Sequence, residues 1–503
     1  MSGRAGASVT LDTVSARVYR EPGMWNERRI PVLALSGAAS LLAVALVAPS
    51  TATAAWPTRV LTAVEKDHPL PDINLGVSFD QHRQTARITR EWVQEEGGQR
   101  RALDVKELDY EEITRRMLLE LRVGLFRDLE FHAVAPLVLQ NDSSLGFASG
   151  VAGQSTIWGS PNADDPSDPA RFPLTEVPAS RERSGFGDMT FGLAWSPLVN
   201  GKDESYPTMT LRGDVTVPTG ALRDPTDQDA LPGGATGDVG LGQTIFDLSL
   251  GFSKRMSAGA PALEPYMIFG ARLPVAGPSQ KARGMEPPFV GYLKVGTEVL
   301  IHESPPEESR YAFDLGFGLR YTSVGRTYSQ LSDYLPSFDQ TLVPRNRASG
   351  VMAGPDEVLY GDYANPANYR STLDGATCGK VAGVPCGELT RVEEHLSLSG
   401  ALALHLQPTR FLLLRGGVSA SYTTAHALTT ERVGTDTDPA SAAGQSCPAG
   451  SGVECVGRVN AVNSLGQEER SPYYDPRYDA PGRRLRAEDI LDLSFFFTAA
   501  ALF

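Results

Sequence analysis

Leu491-Asp492-Leu493-Ser494-Phe495-Phe496-Phe497-Thr498-Ala499-Ala500-Ala501-Leu502-Phe503 is the stretch whose reading decides the fold. Leu491, Leu493, Phe495, Phe497, Ala499, Ala501 and Phe503 recur at every second position, so a strand gathers them on one face and turns Asp492, Ser494 and Thr498 to the other. One apolar and one polar face is how a strand crosses an outer membrane, lipid outside and a polar lumen inside, with aromatic residues at the interfaces. The expectation is a transmembrane antiparallel up-and-down β-barrel, all-β, with Phe503 as the signal that barrel-assembly machinery reads.

The same alternation recurs upstream. Met117, Leu119, Leu121, Val123 and Leu125 mark a strand, Phe126-Arg127-Asp128 turns it, and Leu129, Phe131, Ala133, Ala135, Leu137 and Leu139 mark the next. Further strands are expected near 187–197, 207–218, 238–254, 263–273, 289–302, 310–322, 392–407, 411–424 and 487–503. Ile73, Leu75, Val77 and Phe79 open the series, with a break of phase near Gln81 to Arg83 before Ala86, Ile88 and Trp92 resume. One long bulged strand there gives 12 in all; a hairpin moves the count toward 14. Connections alternate between short (126–128, 198–206, 256–262, 303–309, 408–410) and long (141–185, 219–237, 274–287, 323–390, 425–486). Short turns belong to the periplasmic side and long loops to the extracellular side, so Phe503 falls on the periplasmic side.

Ahead of the barrel, Met24-Trp25-Asn26-Glu27-Arg28-Arg29 precedes an apolar run from Ile30 to Val47, and Ala52-Thr53-Ala54 offers small residues for cleavage. Residues 1–54 are therefore expected to be an N-terminal extension and secretory signal peptide, with Met24 as the effective start and cleavage after Ala54. Residues 55–71 are expected as a periplasmic N-terminal segment and 72–503 as the barrel. No later run approaches the roughly 18 apolar residues of a membrane helix, in keeping with a mean hydropathy of -0.20. The 50 glycines and 36 prolines sit between alternating runs without a repeat, which excludes collagen-like and solenoid folds. A net charge of -14 excludes a nucleic-acid partner, since no cluster of Lys and Arg is present to displace counterions. Much of the acid lies in loops such as Asp164-Asp165-Pro166-Ser167-Asp168 and Asp224 to Asp229, and neither has the spacing of a calcium loop. No cofactor or metal is expected.

The four cysteines form two local pairs, Cys378 with Cys386 and Cys447 with Cys455, one in each of the two longest loops. In an exported chain they suggest disulfides, and of the three connectivities these local ones close the smallest loops.

If the apolar face meets lipid, the opposite face lines the lumen. That assigns Glu120, Arg122, Glu130, His132, Arg212 and Asp214 to the interior, and likewise Arg272, Lys294, Glu298, Asp314, Arg320 and Arg415, with Asp247 and Asp492. An Arg or Lys on the lipid face would cost about 2–4 kcal/mol at midplane, which fixes the direction. Seven acids against six bases and one histidine predict salt-bridge networks across the lumen rather than a strong charge-selective pore.

Gly124-Leu125-Phe126-Arg127-Asp128-Leu129-Glu130-Phe131 with Ala135-Pro136-Leu137-Val138-Leu139 resembles a strand-turn-strand of the MetA-pathway of phenol degradation family. Gly185-Phe186-Gly187-Asp188-Met189-Thr190-Phe191-Gly192-Leu193, Val215-Thr216-Val217-Pro218-Thr219-Gly220 and Gly237-Asp238-Val239-Gly240-Leu241-Gly242 continue the resemblance over roughly residues 113 to 273. It implies an outer-membrane protein for uptake of small, often aromatic or hydrophobic, solutes, and it brings no functional residues. The cysteine-bearing loops depart from it. Two other readings stand beside a channel: a surface-interaction barrel working through its disulfide-closed loops, and an outer-membrane lipid hydrolase. The hydrolase lacks a G-x-S-x-G motif, and the seven histidines show no evident serine partner. The expected partners are outer-membrane lipids, the assembly machinery and a small solute.

Overall fold

Alternating runs become strands: β1 (Ile73–Glu96), β2 (Gln99–Phe126), β3 (Leu129–Phe147), β4 (Arg181–Phe186), β5 (Met189–Leu198), β6 (Thr208–Val217), β7 (Gln243–Ser253), β8 (Ala262–Ala276) and β9 (Val290–Ser304). They continue with β10 (Ser309–Thr322), β11 (Gly325–Thr327), β12 (Thr390–Val392), β13 (His395–Thr409), β14 (Leu412–Thr423), β15 (His426–Thr429), β16 (Ala461–Val462), β17 (Glu468–Glu469) and β18 (Leu485–Leu502). This computed structural model describes residues 55–61, 73–96, 99–126, 128–151, 180–200, 203, 205–223, 238–257, 260–304, 309–334, 389–429, 461–462, 468–469 and 484–503. Residues 92–96, 99–102, 282, 461–462 and 468–469 are described by backbone alone. All of these belong to one unit, Ala45–Phe503. The expected signal segment, 1–54, lies outside the described residues.

Twelve strands pair antiparallel in the order β1-β2-β3-β5-β6-β7-β8-β9-β10-β13-β14-β18, and β18 pairs back onto β1, closing the barrel. Closure leaves no open edge among these twelve strands, the condition for β-structure in hydrocarbon. At the seam Ile73 N donates to Phe503 O at 3.1 Å and Phe503 N to Ile73 O at 2.9 Å. β4 extends the wall beside β3, and β11, β12 and β15 extend it at the long-loop end. β16 and β17 form a separate two-stranded ribbon. Leu119, Leu193, Leu248, Phe269, Phe317 and Phe495 are exposed around the wall, an apolar belt of the kind that faces lipid.

Three expectations need correction. The phase break near Gln81 to Arg83 is not a bulge, because β1 keeps an unbroken register with β2 from Ile73 to Ile88. The register shifts come later, between Ile88 and Thr89 against β2 and between Thr85 and Arg87 against β18, where Asp489 takes a positive φ of 49°. The second strand begins at Gln99 rather than Met117, since β1 and β2 are one hairpin of 24 and 28 residues. β7 begins at Gln243 rather than 238, because Gly240 leaves the wall to bridge Leu222.

What changes beyond Gln81 is which face is apolar, not the pleat. Leu75, Val77 and Phe79 lie on the outward face, whereas Ala86 and Ile88 lie on the inward one and are buried. There they pack with Leu108 and Tyr110 of β2, Leu145 of β3, and Leu485, Ala487 and Ile490 of β18. Leu331 and Tyr334 enter the same cluster from the loop after β11. The barrel is thus apolar outside along its belt and apolar inside at its long-loop end.

Candidate functional site: a charged lumen and the segment at its short-turn end

A short segment ahead of the barrel occupies the end that carries the short turns. Pro57 starts a single 3-10 turn, Trp56–Thr58, whose backbone groups have no strand to pair with and take side chains instead. Trp56 N donates to Glu298 Oε2 at 2.7 Å and Leu61 N to Glu130 Oε2 at 2.8 Å. Thr210 Oγ1 donates to Thr58 O at 2.6 Å, Arg122 Nη2 to Arg59 O at 3.2 Å, and Thr58 Oγ1 lies 2.6 Å from Ser253 Oγ. Its contacts therefore reach strands on several sides of the wall: β2, β3, β6, β7 and β9.

The acids that receive the segment are themselves held by cations. Arg122 grips Glu130 through Nε and Nη2, both at 2.8 Å. Arg310 joins Glu298 (2.8 Å) to Glu264 (2.7 Å), and Arg255 reaches Glu303 at 2.7 Å. Buried carboxylates are tolerated at this depth because charged hydrogen bonds replace water. His132 Nε2 lies 2.7 Å from Asp214 Oδ1 in a space left by Gly192, where a Cβ would collide with both partners.

Beyond the segment the lumen opens into a cavity of about 610 Å³. Its wall includes Trp56 and Arg59 from the segment, Asp80, Glu120 and Arg122, Arg212, Lys294, and Arg415 with Phe496. Asp80 pairs with Arg116 at 2.5 Å and with His82 at 2.9 Å, and Arg212 with Asp214 at 3.2 Å. Phe496 points inward from β18 between outward Phe495 and Phe497. Its ring lies over Gly417, where a Cβ would stand 2.6 Å from it, and Arg415 covers it at 4.8 Å.

At the long-loop end the turn before Tyr334 is anchored by charge. Arg183 binds both carboxylate oxygens of Asp333 (2.8 and 3.0 Å), Arg223 adds a contact at 2.6 Å, and Arg181 donates to its backbone carbonyl at 3.2 Å. Burial alone pushes the Asp333 carboxyl up, but the Arg223 and Arg183 guanidiniums prevail and hold it below the ordinary carboxylate range.

The residues expected in the lumen separate by depth. Glu130, His132, Glu298 and Arg122 gather at the segment; Glu120, Arg212, Lys294 and Arg415 line the cavity. Asp314 is buried and accepts from Tyr266 Oη at 2.7 Å. Arg272 pairs with Asp247 at 3.0 Å, an acid that also accepts from Tyr292 Oη at 2.7 Å. Arg320 is exposed and makes no ion pair among the described residues. Cys378, Cys386, Cys447 and Cys455 lie outside the described residues. Asp80, His82, Arg116, Phe496, Glu264 and Arg310 complete the lumen and escaped the sequence reading. The first two were hidden by the supposed phase break, and Arg116 lay one residue ahead of the supposed strand start.

One serine-histidine pair does exist, contrary to the sequence reading: His302 Nε2 lies 3.2 Å from Ser309 Oγ at the β9–β10 turn. Among the described residues no acid orients the other ring nitrogen, so the arrangement lacks the third member of a hydrolytic triad.

No protein-family model matches the sequence, and no curated protein matches it. Among solved structures, an outer membrane channel from Pseudomonas putida F1 aligns at 9% identity and a TM-score of 0.36, covering 86% of this chain and 95% of that one. A Pseudomonas aeruginosa FadL homologue aligns at 8% identity and a TM-score of 0.28, covering 86% of this chain and 90% of that one. The Escherichia coli outer membrane protease OmpT aligns at 8% identity and a TM-score of 0.23, covering 86% and 95%. The barrel itself stands on its own strand pairing.

Proposed function

We propose that this chain is an outer-membrane channel for a small solute, its short-turn end in the periplasm and its own N-terminal segment as the stop. The observation that carries this reading is a cavity of about 610 Å³ inside the barrel wall, lined by charged side chains and bounded on one side by a segment held through side-chain hydrogen bonds. Such bonds can exchange one partner for another without opening the wall, whereas strand pairing cannot. Twelve strands leave a narrower interior than the 16–18 of wide aqueous porins, so the cargo is small.

The test is flux through liposomes holding the purified protein, with a small sugar, a charged amino acid and a small aromatic acid as solutes. Deleting residues 55–61 is expected to speed passage of all three, with the deleted protein still showing heat-modifiable migration. A folded deletion protein that passes none of them would remove the channel reading.

A further inference from the structure

The charges of the lumen balance in the sequence, but not at the surface a solute would touch. Six cationic side chains line the cavity: Arg59, Arg116, Arg122, Arg212, Lys294 and Arg415. Only two carboxylates, Asp80 and Glu120, line it with them. The other nearby acids stand behind this lining and are already engaged, Glu130 by Arg122, Asp214 by His132 and Arg212, and Asp314 by the Tyr266 hydroxyl.

Of the six cations, Arg116, Arg122 and Arg212 each have a carboxylate within 3.2 Å. Arg59 and Lys294 have no carboxylate within ion-pair distance among the described residues, and Arg415 approaches Asp314 only at 4.0 Å. These three open onto one space together with two aromatic rings, Trp56 and Phe496. Each ring has a guanidinium over it, Arg122 at 5.7 Å from Trp56 and Arg415 at 4.8 Å from Phe496. Leu118 and Ile268 add apolar surface to the same wall. The volume falls inside the roughly 300–1,000 Å³ range of small-molecule sites.

We infer that this cavity binds a small amphipathic organic anion, its carboxylate met by Lys294, Arg415 and Arg59 and its apolar body by Phe496 and Trp56. The inference rests on the channel reading for its biological sense, though not for its test. Two cations with no carboxylate in ion-pair range among the described residues, and a third with one only at 4.0 Å, favour an anion over a neutral or cationic isostere of the same shape. Phe496 is the element that polar lumen packing does not call for, since Ser494 and Thr498 on either side of it in the same face are small and polar.

The experiment titrates the full chain in detergent with three probes of one shape: benzoate, benzyl alcohol and benzylammonium, followed by calorimetry. Benzoate is expected to bind most tightly and benzylammonium least. Arg415→Gln and Lys294→Met are each expected to weaken benzoate by about tenfold, the scale of one lost charged hydrogen bond, and to weaken benzyl alcohol by clearly less. Phe496→Ala is expected to weaken both benzoate and benzyl alcohol. Equal binding of the three probes, or preference for benzylammonium, overturns the inference. So does benzoate binding that is indifferent to both cation variants when their heat-modifiable migration is normal. If the variants fail to fold, competition settles the matter on the unaltered protein: hexanoate should displace benzoate and hexanol should not. Benzoate binding without liposome flux of any solute retains the site and refutes the channel, whereas flux without charge preference among the probes retains the channel and refutes the site.

Discussion

Single residues decide how the lumen is filled. Gly192 is glycine because His132 and Asp214 occupy the place of its side chain. Gly192→Ala is expected to destabilise the barrel by roughly 1–3 kcal/mol, the cost of overpacking, seen as a lower urea midpoint for loss of heat-modifiable migration. An unchanged midpoint would mean that His132 can move without loss. Asp333 sets a different dependence. Its folded pKa lies below the unfolded value of about 3.9, so its stabilising contribution is complete above that value and is lost as pH falls through the folded one. Asp333→Asn should therefore lower the melting temperature at pH 7, and the gap from the unaltered protein should narrow on acidification below about pH 4. Arg183→Ala leaves a buried carboxylate with one guanidinium fewer, and it should cost more than Asp333→Asn at neutral pH, toward about 3–5 kcal/mol. Period-2 alternation assigns Arg122, Glu130, Arg212 and Asp214 to the inward faces of their strands, and the structure pairs Arg122 with Glu130 and Arg212 with Asp214. Alternation could not rank them, because whether a carboxylate meets a guanidinium, a backbone N–H or open space depends on strand register across the barrel.

At the scale of elements, β1 and β18 make the seam. Phe503 contributes both its N–H and its carbonyl to Ile73, so removing it strips two hydrogen bonds from the last pair of the closing ladder. Deletion of Phe503 is expected to reduce the fraction of chains that reach the heat-modifiable form in outer-membrane extracts, and an undiminished fraction would make that pair dispensable. The short turns, the order of the strands and their number were legible because the lipid-facing residues keep one period through each crossing. The reach of β1 and β2 was not. Once a strand leaves hydrocarbon, its outward face can be charged, as Arg83 paired with Glu111 is, and apolar residues move to the inward face around Leu331 and Tyr334. A pattern scan that holds the apolar face constant reads that exchange as a broken phase, which is how Asp80 and His82 came to be missed. The charge-rich start of β2, from Gln99 to Arg116, shows no lipid pattern because none of its neighbours requires one. Nor could Trp56–Thr58 be placed, since a single turn with no period carries no signal of what surrounds it.

At the scale of the whole molecule, the segment ahead of the barrel and the barrel wall are joined by side-chain hydrogen bonds. Residues 55–61 are held at the short-turn end by Glu298 of β9 and Glu130 of β3, which accept from Trp56 and Leu61 toward the two ends of one segment. Each anchor is a carboxyl group held by a guanidinium and accepting a backbone N–H, a charge-assisted bond worth about 1.5–3 kcal/mol. Because the anchors stand on separate strands, loss of one still leaves the segment tethered at its other end and by Thr210 and Ser253 between them. Glu130→Gln and Glu298→Gln should then each raise liposome flux only slightly. The double variant should approach the flux of the 55–61 deletion, an increase larger than the two single increases combined. Glutamine keeps an acceptor oxygen but also breaks the charge balance with Arg122 and Arg310, so folding must be checked for each protein by heat-modifiable migration. Purely additive single effects would mean that the segment leaves piece by piece rather than as a unit. A double variant as slow as the unaltered protein would mean that the segment is fixed packing, with no part in opening the lumen.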